Sequence, residues 1–134
     1  MDEISQEDRE IQPERESDKV TEAIIRCIIK VHKTLGPGFA KDVYRNAMML
    51  ELKNTSYTAE AQKEIVIDYE GQPVGSHKLD VVVDNSVILE VKTVEKLEPV
   101  HYAQVRSSLR ATGLKVGLLI NFALERSDFR RVEL

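Results

Sequence analysis

The spacing of apolar residues changes twice along this chain, and those changes constrain the fold more than any other feature. Val20, Ala23, Ile24, Cys27, Ile28, Val31 and Leu35 recur at the spacing of one helical face. Ser17 is placed to cap this helix and Gly36-Pro37 to stop it. A second helix follows over about residues 39–53, with Ala40, Val43, Ala47 and Leu50 as its expected core stripe. Lys41, Tyr44, Met48 and Glu51 share a neighbouring face. Near Glu64 the period drops to two. Residues 64–69 read as a strand with a turn at Glu70-Gly71-Gln72, and further strands are expected over about 75–83 and 87–93. Helical spacing then returns. Pro99 opens a helix that Gly113 ends, and the apolar run KVGLLIN at 115–121 is a buried strand. Residues 130–134 can add an edge strand. The order helix, helix, three strands, helix, strand predicts an α/β fold: an antiparallel meander followed by a helical crossover into a mixed sheet.

Composition narrows the function classes. With 134 residues there is room for one domain and no second core. No run approaches the ~18 apolar residues of a membrane span, and the start MDEISQEDRE is acidic where a signal peptide is basic and then apolar. A cytoplasmic protein without membrane contact is expected. The single Cys27 excludes an internal disulfide and a cysteine-based zinc site, and it reads as a small core residue. Trp is absent and aromatics are 5%, which argues against stacking platforms for single-stranded nucleic acid. The net charge of −4 is unevenly divided: residues 1–19 are −5 and the remaining 115 are +1. Residues 1–16 are therefore expected to be an acidic, disordered arm and 17–134 the single domain. A nearly neutral body gives no electrostatic signature of nucleic-acid binding.

Three polar residues interrupt apolar strands: Asp80 in KLDVVVD, and Glu90 and Lys92 in VILEVKTV. Glu90 and Lys92 are two apart and share a face. A two-residue turn at Asp84-Asn85 would put Asp80 on the opposite face from Glu90. A three-residue loop, Asp84-Asn85-Ser86, pairs Val83 with Val87 and brings Asp80 opposite Glu90. Asn85 tolerates the left-handed conformation such loops contain, so the convergent register is expected. Two carboxylates ~5 Å apart repel unless a cation lies between them. Lys92 as that cation gives a structural ion cluster. Mg²⁺ or Mn²⁺ held by Asp80 and Glu90 gives a hydrolytic site in which Lys92 orients the attacking water. On the helix opened by Pro99, the residues Val100, Ala103, Gln104, Ser107, Ser108 and Ala111 form a stripe of mostly small residues expected to approach the sheet, with Gln104 able to reach the carboxylates. His32, His77 and His101 show no ligand spacing. The basic residues Arg106, Arg110, Lys115, Arg126, Arg130 and Arg131 read as a solvated surface or as a phosphate track.

The stretches LGPGFAKDVYRNAMMLEL and YEGQPVGSHKLDVVVDNSVILEVKTVEKLEPVHYAQVRSSLRATGLKVGLLINF resemble the small GxxExxY proteins of the PD-(D/E)XK nuclease superfamily. The resemblance covers about residues 18–134. It implies a restriction-endonuclease-like core, α-β-β-β-α-β, with a mixed sheet flanked by helices. It implies Asp80 and Glu90 as metal-binding acids, Lys92 as the catalytic lysine and Gln104 as the helical glutamine beside them. DNA or RNA is the implied substrate. A domain this small has little surface for a full substrate channel unless subunits combine, so a homo-oligomer is expected. Gly38 and Tyr44 match the motif that gives the family its name. At its glutamate position this chain carries Lys41, a change of two charge units beside the implied metal. Such a change weakens divalent-cation binding and allows Lys41 to pair with Asp80 or Glu90 instead. Asp42 is rotated by ~100° around the helix and does not substitute. Two functions follow: a metal-dependent nuclease, or an inactive nuclease-fold protein acting as a binding or self-assembling module.

Overall fold

Helical spacing at 20–35 produces the helix α1, Glu16–Leu35, in a computed structural model that describes residues 16–134. The expected acidic arm lies, but for Glu16, outside the described residues, and Ser17 is already helical instead of a cap. Val20, Ala23, Ile24, Cys27, Ile28 and Val31 are buried as the spacing requires. After α1 come α2 (Lys41–Leu52), β1 (Ala59–Tyr69), β2 (Gln72–Val83), β3 (Val87–Lys92), α3 (Pro99–Thr112), β4 (Val116–Asn121) and β5 (Asp128–Glu133). Gly113 ends α3 at φ +77, a conformation open to glycine at no steric cost.

The five strands form one sheet in chain order. β1–β2, β2–β3 and β4–β5 pair antiparallel, and α3 carries the chain across so that β4 lies parallel to β3. Helices α1 and α2 cover one face over Val81, Val83, Val87, Leu89, Val91, Leu118, Ile120 and Phe122. Helix α3 covers the other, with Val105 and Leu109 against Val82, Ile88 and Leu119. This is the expected mixed sheet between helical layers. No helix among the described residues is long and apolar enough to cross a membrane.

Two helices present different faces from those expected. In α2 the buried residues are Tyr44, Arg45, Met48 and Leu52, whereas Val43 and Leu50 are 40% and 64% exposed. The helix is turned by about one residue from the expected stripe. Its aromatic ring decides the orientation, because Tyr44 stacks on Phe122 with ring centroids 4.6 Å apart and buries more apolar surface than Val43 offers. In α3 the buried residues are Val105, Ser108 and Leu109, and most of the small-residue stripe faces outward. The close approach to the sheet comes from β4 instead. A Cβ on Gly117 would lie 2.6 Å from Val105 Cγ1, so only glycine admits the helix at that distance.

Candidate active site at the split between two strands

The β2–β3 hairpin pairs Val83 with Val87, Val82 with Ile88 and Val81 with Leu89. Its loop is therefore Asp84-Asn85-Ser86, with Asp84 and Asn85 both left-handed at φ +53 and +49. Extending this register places Asp80 opposite Glu90, but the backbone ladder stops one pair short, at Leu89. Side chains take over from there. The Val91 N–H donates to Asp80 Oδ2 at 2.9 Å, and the Asp80 backbone N–H in turn faces the Glu90 carboxylate. The two strands separate here with their acids between them.

The other neighbour of β2 is also disturbed at this level. The β1–β2 ladder passes from Ala61–Val81 to Lys63–Leu79 without a Gln62–Asp80 pair. Gln62 has φ +51, a costly conformation for a residue with a Cβ. Leu79 joins the core on the α3 side while Val81 faces α1 and α2, so the alternation of β2 breaks around Asp80. No residue type in the sequence marked Gln62.

Each remaining group comes from a different element. Lys41, at the first position of α2, places Nζ 3.0 Å from Asp80 Oδ1. Lys92, from the end of β3, donates from Nζ to Gln104 Oε1 of α3 at 2.8 Å. Gln104 is exposed and reaches the lysine from the flank of α3, not from a buried stripe. Asp80, Glu90, Lys92 and Gln104 are thus brought to one end of the sheet, with Lys41 added to them. Asp42 points away and pairs with Arg45 at 3.0 Å.

Burial sets the electrostatics. Glu90 is 4% exposed, and its Oε1 has no hydrogen-bond partner. Desolvation, and then the charge of Asp80, push its pKa up to about 7, against the opposing pull of Lys41, Lys92 and the Asp80 N–H. A carboxyl group whose pKa is raised on folding stabilises the fold relative to its charged form below about pH 4.5. That contribution is lost as pH rises through about 7. Glu90→Gln should therefore match the parent near pH 5 and exceed its stability by on the order of 3 kcal/mol at pH 8. Urea unfolding at the two pH values checks this, and an advantage that does not change with pH would show that Glu90 titrates normally.

Residues outside the acid–lysine set position it. Asn121, fully buried at the end of β4, accepts from the Val94 and Ala123 N–H groups at 3.0 and 3.2 Å and donates to the Val94 carbonyl at 2.8 Å. It ties the segment after Lys92 to the sheet. A polar residue closing the apolar run KVGLLIN was its signal in the sequence. Tyr44 donates its hydroxyl to the Gly36 carbonyl at 2.5 Å and accepts from the Phe39 N–H at 3.2 Å, which holds the loop containing Gly38 just ahead of Lys41. His101 accepts from the Glu98 N–H at 2.8 Å and serves the start of α3. His32 donates to the Leu124 carbonyl at 2.6 Å, while His77 is exposed on β2. Arg130 and Arg131 are held in ion pairs with Asp128 and Asp18, at 3.2 and 2.8 Å, rather than presented as a phosphate track. Cys27 is buried, and burial pushes its thiol pKa up.

A mixed five-stranded sheet between helices, split beside an aspartate and a Glu-x-Lys strand, defines a restriction-endonuclease-like fold. The family model of the PD-(D/E)XK nuclease superfamily matches residues 18–132, and the chain belongs to that superfamily. Among solved structures, that of SSO0001 is similar, with a TM-score of 0.56 and 19% identity over 69% of this chain. The chain spans 50% of the length of that protein, and the likeness is one of fold. No curated protein matched the sequence.

Nucleases of this superfamily generally use divalent metal ions. The orphaned Glu90 oxygen fits that use, being a buried acceptor left over for a cation, and paired carboxylates suit Mg²⁺ or Mn²⁺. Among the described residues, no group of three or more His, Cys, Asp or Glu is placed to hold a metal ion. The protein therefore offers two carboxylates, and Lys41 supplies the positive charge beside one of them.

Proposed function

We propose that this domain is a nuclease-like phosphodiesterase acting on DNA or RNA, with Asp80 and Glu90 holding Mg²⁺ or Mn²⁺. The observation that carries this reading is the buried Glu90 oxygen without a partner, opposite Asp80 where the strands split. A buried acceptor left unsatisfied costs desolvation free energy, and a cation held there would recover it. The ion, when bound, supplies positive charge to the phosphate and makes water a stronger nucleophile near neutral pH. Lys92 directs the attacking water and donates to the phosphate oxygens, and Gln104 keeps its ammonium in place. Asp80 is fixed by the Val91 N–H, so its carboxylate is held in one orientation before any substrate arrives.

A second reading is favoured by the 3.0 Å contact of Lys41 with Asp80: a catalytically inactive nuclease-fold module that binds or self-assembles. Within the superfamily we place the chain with the GxxExxY proteins on Gly38 and Tyr44, with Lys41 as its departure. We further propose residues 17–134 as a single domain in a cytoplasmic homo-oligomer. Phe39, Val43 and Leu50, the exposed apolar side chains of α2 and the loop before it, are the surface offered for assembly.

The test is cleavage of labelled single- and double-stranded DNA and RNA. Cleavage should require Mg²⁺ or Mn²⁺, stop on chelation and be lost in Asp80→Asn. Cleavage that persists in Asp80→Asn would sink the assignment, and inertness toward every substrate with either ion would favour the second reading.

A further inference from the structure

Lys41 pairs with one carboxylate of this site and leaves one oxygen of the other without a hydrogen-bond partner. Its Nζ lies 3.0 Å from Asp80 Oδ1, while the buried Glu90 Oε1 keeps no partner. A divalent cation would satisfy both acids at once. Lys41 is also weakly committed to its position. Its side chain is 37% exposed. It stands in the first turn of α2, whose positive end disfavours a cation and which no side chain caps. The Asp80 side chain is only 9% exposed, so the ammonium leaves it at small cost only when another cation takes its place there, while its own open side lets it reach an incoming anion. The anion suited to draw it off is one that arrives at the same end of the sheet: a phosphodiester group, which lysine binds as a point charge.

We infer that Lys41 couples the two ligands of the site: its ammonium holds Asp80 until a phosphodiester takes it, so that a divalent cation binds tightly only together with nucleic acid. The inference rests on the nucleic-acid-directed reading given above. Transfer of the ammonium frees Asp80 Oδ1 and, with the orphaned Glu90 oxygen, leaves two hard donors on two adjacent strands. Cation and nucleic acid then raise each other's affinity by the same factor, since a coupling free energy is reciprocal. A lysine that had permanently replaced the ion would instead leave the protein indifferent to the cation in both states.

The experiment is Mn²⁺ binding to the full chain, read from the electron paramagnetic resonance of the free ion. It is run with and without a saturating short oligonucleotide, after subtracting binding to the oligonucleotide alone. Lys41→Gln and Asp80→Asn are measured alongside, with circular dichroism to confirm folding. The oligonucleotide should raise the affinity of the parent for Mn²⁺ about tenfold or more. Lys41→Gln should show the higher affinity already when free and gain little further, and Asp80→Asn should bind weakly throughout. Equal Mn²⁺ affinity in the two states of a protein that does bind the oligonucleotide overturns the coupling and leaves the nucleic-acid reading standing. Binding of Mn²⁺ by Lys41→Gln but by neither state of the parent overturns it too, and makes Lys41 a fixed substitute for the ion. If neither DNA nor RNA binds, the reading beneath the inference falls with it.

Discussion

Lys41→Glu is expected to raise the affinity of the free protein for Mn²⁺ by about a hundredfold or more. The change removes a positive charge that lies 3.0 Å from Asp80 Oδ1 and adds a third carboxylate at the same helix position. Even at an effective dielectric of ~20, one unit of charge within ~5 Å of a divalent ion is worth several kcal/mol. Solvent screening at a side chain that is 37% exposed lowers that figure, and two units of change restore part of it. Calorimetric titration reads the effect directly. The variant should also release Asp80 from its present partner and, if the hydrolytic reading holds, increase cleavage where the parent is slow. Unchanged Mn²⁺ affinity would mean that Lys41 is not what keeps the ion out. The acid pair would then be a structural cluster, with its charge balanced by Lys92.

Tyr44→Ala is expected to cost on the order of 3–5 kcal/mol of stability, the largest effect of any single side chain near the site. Tyr44 is fully buried and stacks on Phe122 with rings 4° from parallel. Its hydroxyl joins the Gly36 carbonyl and the Phe39 N–H, so one side chain fills the core and fastens the loop before α2. Tyr44→Phe separates the two contributions. It keeps the stack and strands two backbone groups, for an expected cost of about 1–2 kcal/mol, since the loop is partly open to water. Urea unfolding of both variants checks the division. A phenylalanine variant as stable as the parent would show that the hydroxyl does not hold the loop. Lys41 lies one turn before Tyr44, so the alanine variant should also loosen the contact with Asp80.

The strand content and its order were legible because a strand's side chains alternate, and that period is written locally in VIDYEG and KLDVVVD. The hairpin register was legible as well. Asn85 accepts a left-handed backbone, and the three-residue loop it permits pairs Val83 with Val87, the register that carries Asp80 and Glu90 to the same level of the sheet. Helix faces were less so. A helix with apolar residues on two neighbouring faces does not say which one its partner will take, and Phe122, seventy-eight positions after Tyr44, made that choice for α2. The α3 stripe failed for a related reason: the small residue that permits close approach was Gly117, on the strand and not on the helix.

By itself, then, the sequence determined the element order, the mixed sheet, the loop that aligns the two acids and the departure at Lys41 from the glutamate of the family it resembles. Those features depend on period, turn chemistry and residue type, which act over a few positions. Tertiary structure alone decided that β2 and β3 separate at Asp80, that Gln62 drops out of the β1–β2 ladder beside it, and that Glu90 is left with an unsatisfied oxygen. It alone decided that Lys41 takes Asp80 rather than Glu90 and that Gln104 takes Lys92. Such pairings depend on which charged ends of distant elements arrive within about 3 Å of each other and on how little water remains there. Neither quantity exists until the sheet and its two helical layers have closed around the site.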